Sequence, residues 1–409
     1  MRAVLTLHHP RLAERYYDSG QWRDETFYTL LAKRAKEQPD AIALVSKSGK
    51  MTWTELLHKV DLAAGAFVQK GLQPGDRVSL WMSDRAEVVI AFLACSRAGL
   101  ACNPSLHRTY TVAEVAELLS RIEASVLIAE DGWGADHDKV NLVDAVADRA
   151  GHAVVWTPEQ LYANGVAAQT KAANDPDSLA YLAFTSGTTG APKCVMHSAN
   201  TLLSNACDLV SAWSLNADAR LLCLSPLSHH IGWVAVGQWL VSGCRLILGT
   251  PPVGQTLVDW IVETEATYVM GVPTHAMDIL AAQRSIGLPR LGSVQAFYMA
   301  GAPIPEVVAE AFIAQGIKPQ NVYGMTENSS HQFTHPDDDP EIWTGTCGRG
   351  GPGYEVAIFN AEDADQPAAP GEVGQIAGRG ANLMLGYFDN QTDTAKSFNR
   401  DGWFLSGDL

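Results

Sequence analysis

Thr185, Ser186, Gly187, Thr188, Thr189 and Gly190 form an unbroken run of hydroxyl-bearing residues and glycines, and Lys193 follows shortly after. Such a run suits a polyphosphate. Glycine lets backbone N–H groups approach and point inward, hydroxyls add neutral donors, and the lysine supplies a point charge. The apolar stretch Leu179–Phe184 before it reads as a buried strand, so the loop would leave a sheet where α/β proteins hold ligands. A flexible Ser/Gly linker is the plain alternative. A linker would not normally be fastened to a buried strand on one side and closed by Pro192-Lys193 on the other. The loop is not a Walker A either, because Gly190 is followed by Ala191-Pro192-Lys193-Cys194. Pro192 also opposes a helix springing directly from the loop.

Two more glycine-marked strand ends lie downstream, Ala300-Gly301-Ala302-Pro303 and Tyr323-Gly324-Met325-Thr326-Glu327. In a parallel sheet such C-terminal ends converge on one crevice. There a tyrosine can cover a purine, a threonine can bond a phosphate, and a glutamate can hold Mg²⁺ through oxygen. Taken alone, Y-G-x-T-E is also a common strand–turn–helix cap. The segment Asp401-Gly402-Trp403-Phe404-Leu405-Ser406-Gly407-Asp408 adds a carboxylate able to accept from both hydroxyls of a ribose.

The elements that must position these residues alternate strand and helix. Strands are expected at Arg77–Trp81, Leu100–Asn103 and Ser125–Ala129, with helices at Ala86–Arg97 and Thr111–Ile122, the latter opened by a Thr111/Glu114 capping box. Asp131–Asp177 has a weaker pattern and is expected to connect two sheets. A second series places strands at Leu179–Phe184, Arg220–Leu224, Arg245–Leu248, Tyr268–Val272, Ala296–Ala300 and Asn321–Tyr323. Helices fit between them at Ser198–Ser211, Ile231–Val241, Leu257–Glu265, Thr274–Arg284 and Pro305–Ala314. The fold class is α/β: two packed α/β subdomains with largely parallel sheets, over residues 1–175 and 176–343. Residues 344–409 read as a small β-rich, barrel-like subdomain. Gly348–Gly353 formally matches GxGxxG, but the strand-like Glu355–Phe359 follows it rather than a helix, so it is read as a turn.

A chain of 409 residues, 47% hydrophobic and 18% charged, is long enough for several subdomains and too apolar for disorder. Its net charge of −16 opposes nucleic-acid binding, which calls for a basic face. No apolar run reaches the length of a membrane span, and the segment Met1–His9 has too short an apolar core for a signal peptide. Seven scattered cysteines fit reduced thiols in a cytoplasmic enzyme better than a disulfide framework.

In their order along nearly the whole chain, these segments resemble the adenylate-forming superfamily of acyl-CoA synthetases, peptide-synthetase adenylation domains and beetle luciferases. The resemblance runs from Thr52-Trp53-Thr54-Glu55-Leu56 and Gly75-Asp76-Arg77-Val78, through Pro226–His229 and Gly271–Pro273, to Gly371–Gly374, Gly386-Tyr387 and Gly402–Asp408. It implies ATP, Mg²⁺, a small carboxylic acid and coenzyme A as ligands. The loop 185–190 and Lys193 would hold the β- and γ-phosphates. Gly301, Ala302 and Pro303 would border the adenine, and Tyr323, within the segment Val322–Met325, would stack on it. Thr326 would bond the α-phosphate, Glu327 would ligate Mg²⁺, Asp408 would bind the ribose, and His229 would lie beside the reacting carboxylate. Ser406 and Cys194 depart from the usual threonine and glycine.

The resemblance also bears on the acid. Amino-acid-activating relatives carry an aspartate early in the helix where this chain reads His229-His230-Ile231-Gly232-Trp233-Val234-Ala235, so an α-ammonium would be buried unpaired. His230 is either a reader of a ring substituent or a satisfied helix-start histidine. Trp233, Val234, Val272, Tyr298, Ala300 and Gly324 are candidate pocket walls. An aryl or alicyclic acid is expected first and a medium-chain fatty acid second, with loading of a carrier-protein thiol as the alternative to coenzyme A; a homodimer is one allowed assembly. The family's hinge and mobile C-terminal domain would follow Leu409. Without the lysine that domain carries, these 409 residues are expected to bind nucleotide and acid while forming adenylate slowly and thioester more slowly.

Overall fold

The computed structural model describes residues 9–138, 141–162, 165–185 and 192–409. Ser186, Gly187, Thr188, Thr189 and Gly190, the heart of the expected phosphate loop, lie outside the described residues. Two large sheets dominate the rest. The seven-stranded sheet runs Gly386–Tyr387, Cys194–Ser198, Leu179–Phe184, Ala101–Asn103, Arg77–Trp81, Val126–Ala129, Val154–Trp156, parallel from Leu179–Phe184 onward. The nine-stranded sheet runs Arg349–Gly350, Ser329–Phe333, Lys318–Met325, Ala296–Met299, Tyr268–Gly271, Arg220–Cys223, Arg245–Leu248, Ile42–Ser46, Gly49–Thr52. Its six middle strands are parallel and its margins antiparallel.

Local chemistry explains the elements. The strands are short runs of Val, Leu, Ile and aromatic residues buried on both faces, as parallel sheets covered by helices require. Thr52 and Glu55 cap the helix Trp53–Gln69 reciprocally, and Thr111 and Glu114 do the same for Val112–Arg121. Helices Ala86–Ala98 and His230–Ser242 are apolar nearly all round and sit between the sheets, where Phe92 and Trp233 pack with ring centroids 4.1 Å apart.

The sheets add to the sequence reading in three places. The sheets do not follow the boundary at residue 175: Leu179–Phe184 pairs with Ala101–Asn103 in the first sheet, while Ile42–Ser46 pairs with Arg245–Leu248 in the second. The residues that follow Lys193 form a strand, Cys194–Ser198, before the helix Ala199–Ala212 begins. The glycine-rich loop therefore joins the arms of an antiparallel hairpin, with Phe184 opposite Cys194 and Thr185 N–H donating to Lys193 O at 2.9 Å. The β-rich part is an open three-stranded sheet, Tyr354–Phe359, Gln375–Gly380 and Phe404–Leu405, with no barrel closure among the described residues. The chain that leaves its middle strand, residues 381–388, runs back so that Gly386–Tyr387 pairs with Cys194–Ser198 in the seven-stranded sheet.

Candidate active site

Tyr323 lies near the end of the strand Lys318–Met325, and Asp408 lies 85 residues later beyond the three-stranded sheet, yet the Tyr323 hydroxyl donates to Asp408 Oδ2 at 2.6 Å. Asp408 is exposed and its backbone is pinned: its carbonyl accepts from Ile376 N–H and its own N–H donates to Ser406 Oγ. The hydroxyl of Ser406, which stands where threonine is usual, thus does positional work. Burial first and the Asp408 contact second push the Tyr323 phenol above its ordinary range, so it stays a neutral donor. Gly301 to Pro303 lie exposed at the end of the neighbouring strand, with Gly301 at φ 86°. The turns expected around an adenine and ribose are brought to one place.

Thr326 and Glu327 follow in the same turn. His197 Nε2–H donates to the Thr326 carbonyl at 2.7 Å, which fixes the backbone of that turn from the strand Cys194–Ser198. Glu327 is buried, with burial raising its carboxyl above the ordinary range; the Tyr387 hydroxyl, donating to Oε1 at 2.9 Å, and the Lys193 charge pull it the other way. Lys193 Nζ lies 4.8 Å from the centre of the Tyr387 ring. Lys193 and the Glu327 carboxylate therefore both reach the Tyr387 side chain, with Thr326 next to Glu327 in the chain. A single carboxylate there suits Mg²⁺, which keeps waters and takes its remaining ligands from substrate phosphates.

Beside this turn lies a cavity of about 190 Å³, lined by His229, His230, Tyr298, Ala300, Gly301, Gly324, Met325 and Thr326, with Ser329 and Ser330 beneath. Gly324 is obligatory, since a Cβ there would sit 1.9 Å from the Ser329 carbonyl oxygen. His230 bonds Ser329 Oγ at 2.9 Å through Nε2 and Tyr181 OH at 3.3 Å through Nδ1, so it lines the cavity with both ring nitrogens already engaged. Burial holds it well below the usual histidine range. Tyr298 bonds Ser330 Oγ at 2.6 Å. Among the described residues no carboxylate lines the cavity. Trp233 does not reach it: the indole is buried against Phe92 and donates to Leu227 O at 2.7 Å. Val272 is not among the lining residues and instead stands behind Gly301.

His197, Tyr387, Ser329 and Ser330 were not singled out from the sequence. Gly386-Tyr387 was visible as a segment without a role. Nothing local marks His197, whose partner is 129 residues away.

A tyrosine–aspartate contact and a small cavity flank the turn of Thr326 and Glu327, and the relatives of the chain are AMP-forming acid–thiol ligases. The chain belongs to the AMP-binding enzyme family, whose sequence model matches residues 31–388. It is 27% identical over 426 residues to a medium-chain fatty-acid–CoA ligase of Escherichia coli, covering 100% of this chain and 74% of that protein. It is 29% identical over 424 residues to a salicylyl-CoA synthase / salicylate adenylyltransferase of a Streptomyces species, covering 97% and 75%. The crystal structure of VinN superposes with a TM-score of 0.82 at 22% identity, over 94% of this chain and 95% of that one, a likeness of fold. Among the described residues no helix is long and apolar enough to cross a membrane.

Proposed function

We propose that this chain takes ATP and a compact aryl or alicyclic carboxylic acid, with acyl-adenylate and pyrophosphate as first products and coenzyme A as the thiol that finally receives the acyl group. The observation that carries the reading is the contact between Tyr323 and Asp408 directly beside the turn of Thr326 and Glu327. A carboxylate cannot expel oxide. Attack of its oxygen on the α-phosphorus breaks the bond to the bridging oxygen, pyrophosphate departs with that electron pair, and the acyl carbon now carries AMP as its leaving group. Negative charge gathers on phosphoryl oxygens, so positioned donors and cations supply the catalysis.

In this reading Tyr323 covers the adenine, Asp408 exchanges its tyrosine partner for the ribose hydroxyls, and the Thr326 hydroxyl donates to an α-phosphoryl oxygen. Lys193 faces the outer phosphates. Glu327 would hold Mg²⁺, which neutralises phosphate charge when bound. His229, kept neutral by partial burial, borders the acid's carboxylate. The thiol sulfur then attacks the acyl carbon, the C–O bond to AMP breaks, and the thiol proton passes to solvent.

The cavity supports a compact acid over a fatty chain: about 190 Å³ lies below the roughly 300 Å³ at which ligand pockets usually begin. The lack of a lining carboxylate among the described residues disfavours α-amino acids, whose ammonium would find no partner. The names of the relatives favour two acyl classes, so a medium-chain fatty acid remains the second reading. Acid-dependent exchange of labelled pyrophosphate into ATP tests both. Exchange with benzoates or cyclohexane carboxylates and none with amino acids is expected; a preference for octanoate would replace the first reading with the second. Offering preformed adenylate to coenzyme A and to a phosphopantetheinylated carrier separates the two thiol acceptors.

A further inference from the structure

The turn at residues 226–229 carries His229, and three of its consecutive residues are held from the opposite sheet. Asp84 Oδ1 accepts the Leu227 backbone N–H at 2.7 Å across 143 residues of sequence. His107 Nδ1 lies 3.1 Å from Ser228 Oγ. The His107 ring stacks on that of His229, centroids 4.3 Å apart and planes at 24°. Asp84 follows the strand Arg77–Trp81 and His107 follows Ala101–Asn103, so both belong to loops at the C-terminal ends of the seven-stranded sheet. The turn they hold follows Arg220–Cys223 of the nine-stranded sheet.

Neither side chain is loosely placed. Trp81 Nε1–H donates to His107 O at 3.1 Å, fixing that loop to the neighbouring strand Arg77–Trp81. Burial raises the Asp84 carboxyl to about 6, with the Leu227 N–H and then the Lys47 charge acting against the rise. Trp233 takes the other side of the Leu227 residue, its indole donating to Leu227 O at 2.7 Å. Gly232 lets the helix close down on the turn, because a Cβ would lie 2.9 Å from Pro226 O and 3.0 Å from Leu227 Cα. Leu227 is thus gripped through both its N–H and its C=O.

We propose that Asp84 and His107 are positioning residues for His229: they lock the histidine-bearing turn against the acyl cavity from across the inter-sheet crevice, and so govern binding of the acyl end of the adenylate without touching the nucleotide. The inference rests on the adenylate-forming reading above. A bond from a buried backbone N–H to a carboxylate is costly to lose, whereas an amide oxygen can replace it as acceptor.

The test compares AMP with benzoyl-sulfamoyl adenosine, a non-hydrolysable adenylate mimic, by calorimetry on the wild-type chain, D84A, D84N and H107A. D84A and H107A should weaken the mimic about tenfold or more while AMP binds as before, and D84N should recover most of the loss. A wild-type affinity of D84A for the mimic overturns the proposal. So does equal weakening of AMP and mimic, or an Asn variant no better than Ala. If D84A does not fold, H107A and D84N carry the same comparison. Failure of the wild-type chain to bind AMP would instead remove the reading of function on which the proposal stands.

Discussion

At the scale of single residues, the account turns on side chains whose surroundings leave few alternatives. Gly324 is the sharpest case. Replacing it with alanine would drive a Cβ into the Ser329 backbone, so G324A should lose about 1–3 kcal/mol or more and its AMP binding, read by denaturation and calorimetry. Tyr387 offers a milder test. Y387F keeps the ring beside Lys193 but removes the donor to the buried Glu327 carboxylate. A cost of about 1–3 kcal/mol in urea denaturation is expected, and an unchanged midpoint would show that Glu327 does not depend on that bond. On the proposed role of Asp408 in holding the ribose, D408A should weaken AMP by about tenfold or more with little change in stability, since the residue is exposed. The proposed roles of Tyr323, Thr326, Glu327 and Asp408 rest on their residue types, because nucleotide chemistry demands few kinds of group. Residue types did not announce His197 or Asp84, whose task is to hold backbone, and any polar side chain of the right reach can do that.

At the scale of elements, the strands were legible where hydrophobic runs are short and bounded by turn residues, as in Arg77–Trp81 between Gly75-Asp76 and Ser83-Asp84, which spans the expected residues. The strand Cys194–Ser198 was not, because its Cys-Val-Met-His-Ser sequence also suits the start of a helix and the cap at Ser198 gives no sign of what precedes it. Trp233 was read as a wall of the cavity from its place on a helix near the site. Its bulk faces the apolar space between the sheets instead, where burying an indole is most favourable. Asp208, on the helix Ala199–Ala212, ties that helix to the turn before the β-rich sheet by accepting Gly353 N–H at 3.1 Å. Burial raises its carboxyl to about 6 from an ordinary 3.8. The sign follows directly. The folded state keeps its proton to higher pH than the unfolded chain, so this group favours folding most at low pH and its contribution falls as pH rises from about 4 to about 6. D208N should therefore gain stability relative to wild type across that window, by at most about 3 kcal/mol, and the gap should be flat above it. Thermal melts across pH would show this; a gap independent of pH would contradict it.

At the scale of the whole molecule, two sheets share one crevice because each borrows strands from the other's stretch of chain. Ile42–Ser46 crosses to the nine-stranded sheet and Leu179–Phe184 returns to the seven-stranded one. Alternating strand and helix patterns predict parallel sheets but carry no information on which sheet receives a strand, which is why the sheet partition was not legible. Convergence of the glycine-marked ends was legible, since all parallel strands of a sheet finish on the same side. The central claim is that this side holds one adenine nucleotide between Gly301–Pro303, Tyr323 and Asp408. A crystal structure of the chain with AMP tests it most directly. The account predicts the purine against Tyr323 and the ribose hydroxyls on Asp408, with the Tyr323–Asp408 hydrogen bond replaced or shared; AMP bound elsewhere, with that bond intact, would contradict it.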